Sequence, residues 1–259
     1  MKMHAIPLSL HFGYVFPTIY KSMYLMRYAV FLLLTLVACR NAPKQQALAP
    51  VSEYLEPADS STTPVSQDTQ AAPLTFDYDT AMWTDIGLME SSIVLDLKYA
   101  TEDNFVQSKM YECGRCFLRK PVAEAVIAAH RQLQQQGLGL KMFDCFRPRP
   151  VQWDLWKKVP DPRYVADPRE GSMHNRGCAV DLTIVNAQGE ELDMGTSFDF
   201  FGKEAWHEYT DLSKVVLDNR LLLKKTMEQQ GLQAIRTEWW HYFWDGQNFE
   251  LSDMLWKCY

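Results

Sequence analysis

The sequence predicts an α+β fold, a single domain with a central antiparallel sheet flanked by helices. Three observations predict it. Strand-like and helix-like stretches are mixed without strict alternation, which disfavours a doubly wound parallel sheet. Aromatic residues make up 13% of the chain and charged residues only 22%, so its bulk folds around a core instead of staying disordered. The stretch that reads as folded, residues 76–259, has about 180 residues, an ordinary size for one domain with a real core.

The first 39 residues read as an address. Lys21 and Arg27 precede an apolar run from Tyr28 to Ala38, and Cys39 follows at once. The run is too short to span a bilayer, which needs about 20 apolar residues. A basic flank, a short apolar segment and a small residue at the boundary describe a secretory signal. Leu36-Val37-Ala38-Cys39 resembles the bacterial lipobox, which makes Cys39 the candidate lipidation site; a plain signal with an incidental cysteine is the alternative. Residues 1–25 extend upstream of an ordinary signal, and Met26 is the more conventional start. Residues 40–75 form the expected flexible linker: Pro43, Pro50, Pro57, Pro64 and Pro73 are spaced through Ala, Ser, Thr and Gln, with too little apolar surface to offset ordering entropy.

The domain follows. Ile93 to Tyr99 starts apolar and then alternates, as a half-buried strand does. Ala100 to Phe105 leaves it as a polar loop. Pro121 opens a helix over 122–136, with Val122, Ala125, Val126, Ala129 and Leu133 on one face and Gly137 as terminator. His130, on the same helix, is expected to be solvated. Leu138 to Phe143 reads as a strand ending at Asp144-Cys145-Phe146-Arg147-Pro148, and a short helix follows over 151–158. Residues 160–171 are a loop. Cys178 to Val185 reads as a strand with Asp181 between Val180 and Leu182, and a turn lies around 186–189. A helix over 212–230 stops at Gly231, and Ile235 to Phe243 suits a last strand. There is no internal repeat.

A net charge of −6 with no basic stripe excludes a general nucleic-acid binder. The chemistry concentrates in Ser172-Met173-His174-Asn175-Arg176-Gly177-Cys178-Ala179-Val180-Asp181 and in Glu238-Trp239-Trp240-His241. Two imidazoles and two carboxylates are what a catalytic zinc site and its general base require. Singly, each residue has a plainer reading. A histidine in a loop is usually polar surface, and Asp181 could cap a turn. Only six histidines exist in the chain, and His4, His11, His130 and His207 lack partners at useful spacing. Glu238 lies three residues before His241, so in an extended segment the two point to opposite faces; both reach one centre only if the chain bends.

These two motifs, with Tyr99-Ala100-Thr101, Asn104-Phe105, Phe143-Asp144, Arg147-Pro148, Met194-Gly195 and Phe198-Asp199, resemble the zinc D-alanyl-D-alanine dipeptidases over roughly Asp96 to Phe243. The resemblance implies the zinc fold shared by D,D-peptidases and Hedgehog-like domains, and one Zn²⁺ held by His174, Asp181 and His241. It implies Glu238 as catalytic base and Arg147 as the group facing the developing oxyanion. It also implies Asp199 and Tyr99 near the substrate's free amine and Ser172 near its carboxylate.

The implied activity is hydrolysis of D-Ala-D-Ala in cell-wall fragment recycling, at the periplasmic side of a membrane to which a lipid anchor ties the protein. The alternatives are a D,D-carboxypeptidase acting on peptidoglycan stems and a non-catalytic zinc-binding module. Cysteine usage departs from the family pattern. Cys113-Gly114-Arg115-Cys116 has the spacing of a metal or redox pair, but no second pair completes a structural zinc site, so disulfides are expected. With five cysteines after Cys39, at least one stays free or pairs between chains. A bridge from Cys178 to Cys113 or Cys116 is one expectation.

Overall fold

The computed structural model describes residues 75–258. The expected lipidation site Cys39 and all but the last residue of the expected 40–75 linker lie outside them. Eleven elements follow in order: β1 (Trp83–Asp85), a short helix α1 (Ile86–Met89), β2 (Val94–Leu95), β3 (Phe117–Arg119), α2 (Lys120–Gln134), β4 (Leu138–Asp144), α3 (Arg149–Lys158), β5 (Ala179–Asn186), α4 (Lys214–Gln229), β6 (Leu232–Ala234) and β7 (His241–Trp244). Five strands form one sheet in the order β2-β4-β5-β7-β6, while β1 and β3 form a separate antiparallel pair. Among the described residues no helix is long and apolar enough to cross a membrane.

The sheet is antiparallel at every pairing except at its β2 edge, where β2 runs parallel to β4. β5 is the central strand. Seven of its eight residues are buried, which accounts for its near-continuous apolar run. β4 pairs Leu140 with Ile184 and Met142 with Leu182, then shifts register so that Asp144 faces Asp181. A shift of this kind re-aims a side chain at the end of a ladder. β7 pairs His241 with that same Asp181. Register alone therefore lines up Asp144, Asp181 and His241 across three adjacent strands.

Four local expectations are corrected. The strand over 93–99 shrinks to Val94–Leu95, because the chain turns away in a 3-10 turn at Lys98–Ala100. Asn104 stabilises that departure: its amide nitrogen donates to the carbonyls of Lys98, Thr101 and Ser108. The result is that Tyr99 points inward and is buried. The last strand is broken into β6 and β7, with residues 235–240 between them held to the 205–207 segment by Trp239 N–H on Ala205 O and His207 N–H on Arg236 O. This is the bend that Glu238 requires.

His130 is buried, not solvated: its Nδ1 accepts from Leu140 N–H at 3.0 Å and its Nε2–H donates to Ser92 Oγ at 3.0 Å. It lies four residues after Val126 and so continues the apolar face. Gly139 leaves room for the ring, which a Cβ there would meet at 3.1 Å.

The fourth correction concerns Cys178, which is free and buried. The bridges are Cys113–Cys258 and Cys116–Cys145. The two cysteines of the Cys113–Cys116 spacing thus pair outward, one to the C-terminal tail and one to the end of β4.

Candidate metal and hydrolytic site

His174 opens a 3-10 turn, His174–Arg176, that ends on Gly177 with φ +71°. A Cβ on Gly177 would come within 2.3 Å of the Trp83 ring, so both backbone and space demand glycine there. Asn175 ties the turn down. Its Oδ1 accepts from Ser172 N–H at 2.8 Å, and its Nδ2 donates to Arg147 O at 2.7 Å. His174 Nδ1–H donates to Cys145 O at 2.7 Å, which leaves Nε2 unprotonated and facing the site.

Three donor residues meet there. His174 Nε2 lies 3.2 Å from His241 Nδ1 and 3.3 Å from Asp181 Oδ2, and His241 Nδ1 lies 2.9 Å from Asp181 Oδ1. A tetrahedral zinc with arms of about 2.0–2.1 Å has ligand-to-ligand edges of roughly 3.3 Å. The two Asp181 contacts run to different oxygens of its carboxylate, but one donor atom from each residue lies within 4.8 Å of the others, and two imidazoles with a carboxylate are a zinc donor set, so the residues present fit the ion. Burial alone would raise the Asp181 carboxyl, but His174 and His241 beside it outweigh that and hold it below the usual range. Burial opposes charging His174; Asp181 reverses the balance and raises it.

Glu238 stands just outside the cluster, its Oε2 3.9 Å from His241 Nδ1. Burial raises its carboxyl above the ordinary value, with His241 pulling the other way. Arg147 is buried: Nη2 and Nε donate to Asp144 Oδ2 at 2.6 and 3.1 Å, and Nη1 donates to Gln152 Oε1 at 3.0 Å. Those bonds use three of its five donors, leaving two. Asp144 in turn accepts from Tyr111 O–H at 3.1 Å.

Tyr99 O–H donates to Asp199 Oδ2 at 2.9 Å. Asp199 sits in the left-handed region at φ +57°, uncommon for a residue other than glycine. Burial first, then the charge of Asp181, pushes its carboxyl up to about 8.

All the residues expected to act on substrate or metal line one cavity of about 230 Å³: Tyr99, Arg147, Ser172, His174, Asp181, Asp199, Glu238 and His241. A larger cavity of about 540 Å³ on the Lys98 side shares Asp199 and Phe105 with it but reaches none of the three metal donors. Sequence reasoning missed the supporting cast of Tyr111, Asp144, Gln152, Asn175 and the Cys145 carbonyl. Asp144 and Asn175 lie inside matched blocks, which was the available signal for them. Also missed was an aromatic rim from three loops, in which Phe201 packs on Phe105 at 5.1 Å and on Tyr164 at 4.7 Å between ring centres. His207 is half-buried and does not line that cavity, its buried Nε2 without a hydrogen-bond partner among the described residues.

A three-donor metal cradle, a carboxylate beside it and a buried guanidinium in one small cavity together define a metal-dependent hydrolase. The comparisons narrow that class. A peptidase family model described as D-ala-D-ala dipeptidase matches residues 79–255, and the chain belongs to that family. It is similar to a D-alanyl-D-alanine dipeptidase of Escherichia coli, 36% identical over 164 residues, covering 63% of this chain and 85% of the relative. Relatives with the same description from Enterococcus faecalis and Enterococcus faecium are each 34% identical over 171 residues, covering 57% of this chain and 83% of theirs. Likeness to a solved zinc complex of a vancomycin-resistance D,D-pentapeptidase is distant, at 13% identity over 51% of this chain and 74% of that one, with a TM-score of 0.35.

Proposed function

We propose that this protein hydrolyses the dipeptide D-Ala-D-Ala to free D-alanine, using one zinc ion held by His174, Asp181 and His241. The observation that carries the reading is the convergence of one donor atom from each of those residues to within 4.8 Å, inside the cavity that also holds Glu238, Arg147 and Asp199. When bound, zinc supplies Lewis acidity, lowering the pKa of water and polarising a carbonyl oxygen.

The chain's own residues do the rest. Glu238 takes a proton from the attacking water and returns it to the leaving amine nitrogen. Arg147, clamped by Asp144 and Gln152, offers its two remaining N–H groups to the oxygen on which charge develops. Asp199, backed by Tyr99 O–H, receives the substrate ammonium, and that cation draws its carboxyl back to the charged form. Ser172 faces the substrate carboxylate. The aromatic rim limits water and restricts the cavity to small substrates.

Stripping the metal with a chelator should stop release of D-alanine from D-Ala-D-Ala, and adding back zinc should restore it at one ion per chain. Activity that survives complete removal of metal would sink the reading.

We also read the protein as a lipid-anchored component of the bacterial cell envelope that recycles cell-wall fragments on the periplasmic side. Support comes from Leu36-Val37-Ala38-Cys39 and from two disulfides, which persist in oxidising compartments. Cys39→Ser should move the protein from the membrane fraction to the soluble one on cell fractionation. Unchanged membrane association would contradict the anchor.

A further inference from the structure

We propose that Cys145 is a positioning residue for the metal site, and that its disulfide to Cys116 holds in place the carbonyl that aims His174. The inference rests on the reading of His174 as a zinc ligand. β4 ends at Asp144, so no ladder of strand hydrogen bonds fixes the residue that follows. Yet Cys145 supplies the acceptor for His174 Nδ1–H at 2.7 Å, the bond that selects the tautomer with Nε2 free for metal. Its neighbours are committed to the same centre, Asp144 through Arg147 at 2.6 Å and Arg147 N–H through His174 O at 3.1 Å.

What anchors this segment from outside is the 116–117 stretch. Cys116 is bonded to Cys145, Phe146 N–H donates to Phe117 O at 3.0 Å, and Cys116 O accepts from Ile86 N–H at 2.8 Å. Both sulfur partners are fully buried, so the link is part of the packed floor beneath the metal donors. The second disulfide, Cys113–Cys258, clamps the C-terminal tail and touches no metal donor, which makes it an internal control. A merely stabilising role would not separate the two. A positioning role does, because only one of them backs a ligand.

The test compares zinc affinity, by competition with a chelating dye, in the wild type, C116V/C145A and C113V/C258A, with circular dichroism to verify folding. C116V/C145A should bind zinc at least about tenfold more weakly, the loss typical of removing an outer partner of a ligand. C113V/C258A should bind as the wild type does. Equal affinity in all three would overturn the inference while leaving the metal site standing. Absence of stoichiometric zinc binding by the wild type would remove the site and the inference with it.

Should C116V/C145A fail to fold, reciprocity supplies a second measurement on the native chain. Saturating zinc should shift the thiol–disulfide equilibrium of Cys116–Cys145 in a glutathione series about tenfold toward the disulfide, read by alkylation and mass spectrometry. Cys113–Cys258 should stay where it was. No shift at Cys116–Cys145 would overturn the inference.

Discussion

Replacing Glu238 with glutamine should lower kcat on D-Ala-D-Ala by about 10²–10⁴-fold, the range lost with a positioned acid–base group, while zinc stays bound. Glutamine has the shape of glutamate but cannot take a proton, so the substitution separates proton transfer from packing. Retention of metal is expected because Glu238 Oε2 is 3.9 Å from His241 Nδ1, farther out than the 2.9–3.3 Å separations within the donor set. KM should change little, since the interaction lost belongs to the transition state. A variant with full activity would show that another group moves the proton.

Arg147 has the second-largest expected effect, and two substitutions divide its roles. Arg147→Lys keeps a cation but loses the fork that reaches Asp144, Gln152 and the cavity together. Loss of a preorganised oxyanion donor costs about 10²–10³ in kcat, which is the drop expected for this variant. Arg147→Ala has a structural consequence as well. It strands the Asp144 carboxylate, which is 1% exposed, with Tyr111 O–H donating to it and His174 Nδ1 3.7 Å away. Breaking a buried pair in this way costs about 3–5 kcal/mol, so the alanine variant should melt well below the lysine variant. Equal melting temperatures would mean that Asp144 is compensated elsewhere.

The candidate metal donors are legible in the sequence through the resemblance of the two motifs together, since each residue singly has a plainer reading. Gly177 marks the turn that delivers His174, the apolar run around Asp181 marks a central strand, and Glu238 with His241 demands a bend. The bend exists, but its cause was illegible: residues 235–240 are held by backbone bonds to the 205–207 segment, far away in sequence. Tertiary context likewise decides the fate of Ile93 to Tyr99. Period-2 patterning predicts a strand there, and the side-chain amide of Asn104 makes a turn of its far end.

His130 shows the opposite failure. Its place four residues after Val126 on the apolar face was readable, and polarity alone argued for solvent; a backbone N–H from Leu140 makes burial tolerable. Disulfide connectivity was beyond reach for a simpler reason. Cys116 and Cys145 come together only because β3 and the end of β4 are neighbours, which no spacing encodes.

In the proposed function a free substrate amine is read by Asp199 in the cavity that performs the hydrolysis. The direct measurement is kcat/KM for D-Ala-D-Ala against its N-acetylated form, in the zinc-loaded wild type and in Asp199→Asn. The wild type should strongly prefer the free dipeptide, and Asp199→Asn should lose most of that preference by losing activity on the free form. A wild type that prefers the N-acetylated substrate would contradict the account and identify a D,D-carboxypeptidase instead.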